Sequence, residues 1–318
     1  MLSLQDVEDA AAIVYAAMPP TPQYAWPLLA RRTGCEVWVK HENHTPIGAF
    51  KVRGGLVYMD QLKRAPTRVQ GVVSATRGNH GQSIALAAAK AGIAATIVVP
   101  QGNSVEKNAA MRAFGAELIE AGHDFDAARD MAVRIAGERG LLMVPSFHRD
   151  LVRGVATYAL ELFRAAPPLD TVYVPIGLGS GICGVIAMRD ALSPSTKVVG
   201  VVSTEAPAYA LSFAAGKVLA TNSADTMADG MAVRGPDAEA LAIILKGADR
   251  IVQVSDLEIA AAMRAYYEDT HQLTEGAGAA SLAALLQERE RLADKRVGLI
   301  LSGGNIDRPL YLRTLGGA

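Results

Sequence analysis

The chain has 318 residues, half of them hydrophobic and a fifth charged, with a formal net charge of −1. That length can bury two compact lobes, and the near-neutral balance leaves no basic surplus for nucleic acid or an anionic membrane. The only two cysteines, Cys35 and Cys183, lie far apart, which excludes a disulfide framework and a cysteine zinc site.

Both thiols read as small buried hydrophobes in a reducing compartment. Asp6, Glu8 and Asp9 open the chain with no early Lys or Arg, which is wrong for a secretory signal. No apolar run approaches the ~20 residues of a membrane helix. The expectation is a cytoplasmic protein.

In chain order, residues 4–18 have helical apolar spacing and stop at Pro19-Pro20-Thr21-Pro22. A short helix over 26–33 ends at Gly34, and an apolar strand over 36–40 follows. After a Pro/Gly break, Phe50 opens a helix that carries Lys51 in its first turn. Strand and helix then alternate. Strands are predicted at 71–75, 95–100, 117–119 and 141–144, with helices at 78–90, 104–114 and 125–139 between them. This interleaving implies βαβ units and a parallel sheet. A helix over 151–165 leads to further strands at 171–176, 197–202, 251–254 and 296–301. Asp256 is the expected cap of the helix after the third of these. Such short apolar runs predict strands buried on both faces.

Three stretches carry the chemistry. Lys51 is electrostatically misplaced at a helix N-terminus, where the backbone dipole disfavours a cation. Either something negative or covalent lies nearby, such as a Schiff base to an aldehyde cofactor, or Lys51 is a surface residue that helps Arg53 solvate a helix end. Gly177-Leu178-Gly179-Ser180-Gly181 leaves a strand and enters a helix. Its amides and the helix dipole suit a phosphate, though a plain turn or a dinucleotide loop would read the same, since residues 179–184 match G-x-G-x-x-G in letters. Ser74-Ala75-Thr76-Arg77-Gly78-Asn79-His80-Gly81-Gln82 opens another helix. Its amides and polar side chains suit a carboxylate, unless Asn79 and His80 merely cap the helix.

Together, and in this order, the three stretches resemble the fold-type II pyridoxal-phosphate enzymes, in the branch of threonine/serine dehydratases and serine racemases. The resemblance covers nearly the whole chain. It implies a two-lobed α/β architecture like that of the tryptophan synthase β chain. The large cofactor-binding domain would comprise 1–70 and 149–318, with a small mobile domain, 71–148, inserted in it and the site between them.

The resemblance also implies roles. Lys51 would bind pyridoxal 5'-phosphate covalently, then act as the base that takes the substrate's Cα proton, its pKa lowered toward neutrality. Phe50 would pack against the cofactor. Gly177, Leu178, Gly179, Ser180 and Gly181 would hold its phosphate, and Asn79 would bond its phenolic oxygen. Ser302, at the end of the last strand in Ser302-Gly303-Gly304-Asn305, would pair with the ring nitrogen. Gly230 and Glu275 sit in segments similar to those near the cofactor in the family. Thr76, Arg77, Gly78, Asn79 and His80 would receive the substrate carboxylate.

The implied reaction is dehydration of a 3-hydroxy amino acid to a 2-oxo acid and ammonia. Members are commonly homodimers, and no nucleic-acid or membrane partner is implied. Several residues depart from the family pattern. Arg77 stands where serine racemases carry a catalytic serine, which argues against racemisation and leaves Arg77 to the substrate carboxylate or to solvent. Thr45, Ile47 and Ala49 replace the usual Gln, Thr and Ser, which hints at a pocket altered for a larger or differently charged substituent, as in phenylserine, 3-hydroxyaspartate or a hydroxyectoine breakdown product, the last as in the hydroxyectoine-utilisation dehydratases that the chain also resembles. The acidic positions of a divalent-metal site fall at Val202 and Ala208, so that metal site is expected to be missing, with Glu205 a poor substitute. His41, His44, His123, His148 and His271 show no ligand spacing. With 13 residues after Asn305, control by an appended regulatory domain is not expected. A serine racemase, a β-replacement synthase such as a cysteine synthase, and a non-catalytic binding protein of the same fold are the alternatives.

Overall fold

A computed structural model describes residues 2–317. In chain order the elements are α1 (Leu4–Tyr15), β1 (Gln23–Ala25), α2 (Pro27–Thr33), β2 (Glu36–His41), α3 (Lys51–Arg64), β3 (Val72–Ala75), α4 (Asn79–Ala91), β4 (Ala95–Val99), α5 (Val105–Ala113), β5 (Glu117–Glu120), α6 (Phe125–Arg139) and β6 (Leu142–Met143). They continue with α7 (Arg149–Ala165), β7 (Thr171–Pro175), α8 (Ser180–Leu192), β8 (Lys197–Ser203), α9 (Ala208–Ala215), α10 (Ala238–Gly247), β9 (Arg250–Val254), α11 (Asp256–Thr270), α12 (Gly276–Glu288), β10 (Arg296–Leu301) and α13 (Arg308–Gly316).

The strands form two sheets. One has six strands in the order β1-β2-β10-β7-β8-β9, the other four in the order β5-β4-β3-β6. Every pairing is parallel except that of β1 with β2. The three-residue β1 is half to fully exposed. It follows the proline run and has no apolar alternation, which is why the sequence reading passed over it.

The larger sheet is apolar on both faces because side chains alternate along each strand. Tyr173, Val199, Val201, Val297 and Leu299 face a core built with α11 and α12. Their neighbours Val172, Val174, Val198, Val202 and Ile300 face one built with α7 and α8. The smaller sheet divides likewise: Val73, Ala75 and Val98 pack on α6, whereas Val72, Ile97 and Val99 join a core with Ala10, Val14, Val52 and Val57. That face of the small sheet is covered by α4 and α5, behind which α3 and then α1, both earlier in the chain, pack. Not every strand is buried on both faces: β5 is half-exposed along its length, because it is an edge strand.

Caps fall where the residue types direct. Gly34, Gly92 and Gly140 end their helices in the left-handed region, and Ser104 accepts from the Lys107 amide. One cap differs from expectation. Ser255, not Asp256, caps α11, in a reciprocal box with Glu258. Asp256 instead accepts from the Thr226 hydroxyl at 2.5 Å and the Met227 amide at 2.8 Å, tying down the loop before Asp229.

Helix α3 is held between two others at very short range. A Cβ on Gly154 of α7 would lie 2.1 Å from the Arg53 carbonyl oxygen, and one on Gly55 would lie 2.3 Å from Ser83 Oγ of α4. Backbone cannot yield as a flexible side chain can. Gly154→Ala is therefore expected to lower stability by about 1–3 kcal/mol, the usual cost of overpacking, read as an earlier midpoint in urea unfolding. A wild-type midpoint would show that α3 and α7 separate freely.

Candidate active site

Lys51 begins α3, and the loop before it is stitched to the end of β10. Phe50 N–H donates to the Ser302 carbonyl at 3.0 Å, Gly304 N–H to the Gly48 carbonyl at 2.9 Å, and Ala49 bridges Gly303. Within the loop, the Thr45 hydroxyl donates to the Ala49 carbonyl and accepts from the Ala49 amide. Ile47 and Ala49 are buried, and none of these three residues is on the wall of the cavity that Lys51 lines. The expectation that they reshape a substrate pocket is corrected: they close the loop.

Arg53 does not solvate a helix end either. It is fully buried, and its guanidinium donates to Glu42, Glu161, Thr21 and Thr157. Lys40 donates to the same Glu161 at 2.5 Å.

The Lys51 ammonium has no hydrogen-bond or ion-pair partner among the described residues. Nζ lies 4.9 Å from the centroid of the Phe50 ring, within the range of cation–π attraction. That ring stands edge-on to Tyr158, with centroids 6.0 Å apart. Burial lowers the Lys51 pKa to about 8, against a smaller opposing pull from Glu275. A lysine at that value is partly unprotonated near neutrality, which suits both imine formation and proton abstraction.

Gly177-Leu178-Gly179-Ser180-Gly181 forms another wall of this cavity. Gly179 has φ +100°, and a Cβ on Gly177 would lie 2.3 Å from the Gly230 carbonyl oxygen. No side chain caps α8, and its first backbone bond comes from Cys183 to Gly179. The amides of Gly179, Ser180 and Gly181 therefore lack partners among the described residues, a ready anion seat.

Residues 76–80 line the same cavity. The Thr76 hydroxyl accepts from the amides of Gly78 and Gly81, so Thr76 shapes the loop from within. The amides of Asn79 and His80 remain without partners among the described residues. Neither side chain caps α4. Asn79 Nδ2 donates to Glu275 at 2.6 Å, and its Oδ1 accepts from Asn305 at 2.9 Å. His80 Nε2 is buried with no partner, and burial, aided by Lys51, lowers its pKa to about 3. It is a neutral imidazole turned into the site. Arg77 lies on the wall with its side chain 47% exposed and a guanidinium nitrogen 3.8 Å from Asp229.

Glu275 is buried at the junction. Burial raises its pKa, against the pull of Lys107 and the Asn79 amide. Lys107 Nζ lies 3.5 Å from Glu275 and 3.2 Å from Asp229. Burial disfavours the Lys107 charge, but the two carboxylates outweigh it and raise its pKa. Ser302 is buried at the end of β10, and its hydroxyl has no partner among the described residues. Gly230 lies on a single 3₁₀ turn beside the glycine loop. Lys51, residues 76–80, the glycine loop, Gly230, Glu275 and Ser302 all border one cavity of about 870 Å³.

A family model described as "Pyridoxal-phosphate dependent enzyme" matches residues 14–303. This chain belongs to that family. It is 34% identical to L-threonine ammonia-lyase of Thermotoga maritima, over 96% of this chain and 76% of that one. It is 32% identical to L-threo-3-hydroxyaspartate ammonia-lyase of Saccharomyces cerevisiae, over 98% and 96%. Among solved structures, a threonine deaminase from T.th. superposes with a TM-score of 0.90 at 31% identity, covering 96% of this chain and 99% of that one. Maize serine racemase gives 0.91 at 27%, covering 99% and 97%.

The residues present fit the family's cofactor. An unpaired, desolvated lysine, an anion seat of bare amides and an unpartnered hydroxyl share one cavity of sufficient volume. Lys107, Asp229 and Asn305, which hold Glu275 and Asn79 in place, were not singled out from the sequence. Asn305 stood inside a quoted segment and Asp229 adjoins Gly230, but Lys107 looks like any first-turn lysine. Among the described residues, no three His, Cys, Asp or Glu side chains gather as metal ligands.

A lysine titrating near 8 has a direct readout. In the cofactor-free protein, modification of Lys51 by an amine-directed reagent should rise with pH through a midpoint of about 8. A midpoint near the ordinary lysine value would mean that the amine is solvated.

Proposed function

We propose that this pyridoxal-phosphate enzyme is an ammonia-lyase that dehydrates an L-3-hydroxy amino acid to a 2-oxo acid and ammonia. The observation that carries this reading is the unpaired Lys51 amine sharing a cavity with two sets of free helix N-terminal amides. One set follows the glycine loop and the other follows Thr76. When bound, pyridoxal phosphate supplies an aldehyde that condenses with amines and a ring that draws electrons from the substrate's α-carbon.

Each residue then has a task. Lys51 would hold the aldehyde, and its free Nζ would be the group that takes the substrate's Cα proton. Gly177, Leu178, Gly179, Ser180 and Gly181 bind the phosphate. The Asn79 and His80 amides, with the neutral His80 ring, receive the substrate carboxylate, and Asn79 reaches the phenolic oxygen. Ser302 offers the ring nitrogen a neutral hydroxyl, which does not hold it protonated as a carboxylate would. With a hydroxyl there the ring would draw electrons only modestly, a chemistry that would suit loss of the β-hydroxyl. Phe50 supports the ring, while Gly230 and Glu275 complete the wall.

One observation supports elimination over racemisation, and another bears on the substrate. The position of the racemase serine is Arg77, and a guanidinium stays protonated at working pH, so it cannot exchange a proton with Cα from the opposite face. Phe125, Met143 and Phe147 line the same cavity, which supports a β-substituent larger than methyl, such as the phenyl of phenylserine. We read residues 71–148 as a small lobe that closes on substrate, the active form as a homodimer, and the two buried free thiols as fitting a cytoplasmic setting.

Threonine, serine, phenylserine and 3-hydroxyaspartate should be assayed for 2-oxo acid and ammonia, with chiral analysis of the remaining substrate. At least one should yield both products in equal amounts, with turnover falling by three orders of magnitude or more in Lys51→Ala. Inversion without 2-oxo acid would make the protein a racemase, and no turnover of any of them would remove the dehydratase reading.

A further inference from the structure

Tyr209, on α9, takes no part in the roles above, and no sequence motif pointed to it. It is buried at the back of the glycine loop. Its hydroxyl donates to the Leu178 carbonyl at 2.9 Å and accepts from the Asp237 amide at 3.2 Å. Asp237 is itself fixed as the cap of α10, accepting from the amides of Glu239 and Ala240. The phenol is thus held by a helix start on one side and holds the loop on the other. Burial raises its pKa, which keeps it a donor.

The consequence follows from peptide geometry. The Leu178–Gly179 bond is trans, as are all peptide bonds among the described residues. In a trans peptide the carbonyl and the following N–H point to opposite sides. With the Leu178 oxygen drawn back to Tyr209, the Gly179 N–H is directed away from Tyr209, on the side of the cavity. Gly179 has φ +100° and no Cβ to resist a rotation of this peptide. Without the phenol, the plane is free to turn its carbonyl toward the anion and its N–H away. The neighbouring amides of Ser180 and Gly181 differ in this respect, because α8 itself fixes their direction.

We propose that Tyr209 is a positioning residue for the cofactor phosphate, acting by fixing the orientation of the Leu178–Gly179 peptide. This rests on the reading that the glycine loop seats that phosphate. The test compares pyridoxal phosphate with pyridoxal, which lacks the phosphate but keeps the aldehyde that reacts with Lys51. Cofactor-free wild type and Tyr209→Phe are titrated with each, following absorbance of the lysine adduct. Melting of the cofactor-free proteins checks the fold. Tyr209→Met, also without a hydroxyl, is the second variant if the first is recovered poorly. The expected result is a loss of about three- to tenfold in affinity for pyridoxal phosphate, from one hydrogen bond's usual worth, with pyridoxal affinity unchanged. An equal loss for both ligands, or no loss for either, would overturn the proposal. A wild type that fails to prefer the phosphorylated ligand would instead sink the phosphate seat itself.

Discussion

Arg53 is the constraint on which the site depends. It sits two residues beyond Lys51, fully buried, and its donors go to Glu42, Glu161, Thr21 and Thr157. Lys40 joins the cluster through Glu161, so two cations meet two carboxylates and the interior stays neutral. Breaking a pair of this kind leaves an uncompensated buried charge, at a cost of about 3–5 kcal/mol. The first turn of α3 therefore cannot rotate or slide without unpairing charges out of reach of water. Lys51 inherits that fixed position from a neighbour that never touches the cavity.

The two lysines of the site show how burial and neighbours divide labour. Both are withdrawn from water, which favours the neutral amine. Lys107 has the carboxylates of Glu275 and Asp229 within 3.5 Å and stays a cation. Lys51 has no such partner, so burial lowers its pKa despite the weaker pulls of Glu275 and the Phe50 ring toward the charged form. One lysine thereby orders the wall, holding Glu275 and through it Asn79, while the other is left free for chemistry. The same contrast separates the hydroxyls: Thr76 and Tyr209 are engaged with backbone, whereas Ser302 is left open.

Much of this was legible in the chain, for reasons particular residues make plain. Apolar runs at strand length, parted by helical spacing and stopped by Gly34, Gly92 and Gly140, show the parallel strands of both sheets, because buried strands and left-handed caps each demand particular residue types. Lys51, the glycine loop and Asn79-His80 could be placed because each joins an unusual composition to a strand-to-helix junction. What misled was proximity in sequence. Thr45, Ile47 and Ala49 adjoin Lys51 along the chain, yet the loop folds them inward against Gly303 and Asn305. Asp256 has the residue type of a cap, but Ser255 takes that place and leaves Asp256 to bind the loop at Thr226.

By itself, then, the sequence determined the layered α/β architecture and the family, and it singled out the amine of Lys51, because these readings follow from local periodicity and from motifs that each lie within a few residues. Only the tertiary structure decided that Arg53 is an interior ion, that Lys107 and Asp229 brace Glu275, and that Tyr209 stands behind Leu178. Apart from the Arg53–Glu42 pair, 11 positions apart, those contacts join residues from about 30 to 170 positions apart in the chain. A charge or a phenol read in isolation carries no sign of the partner that folding brings to it.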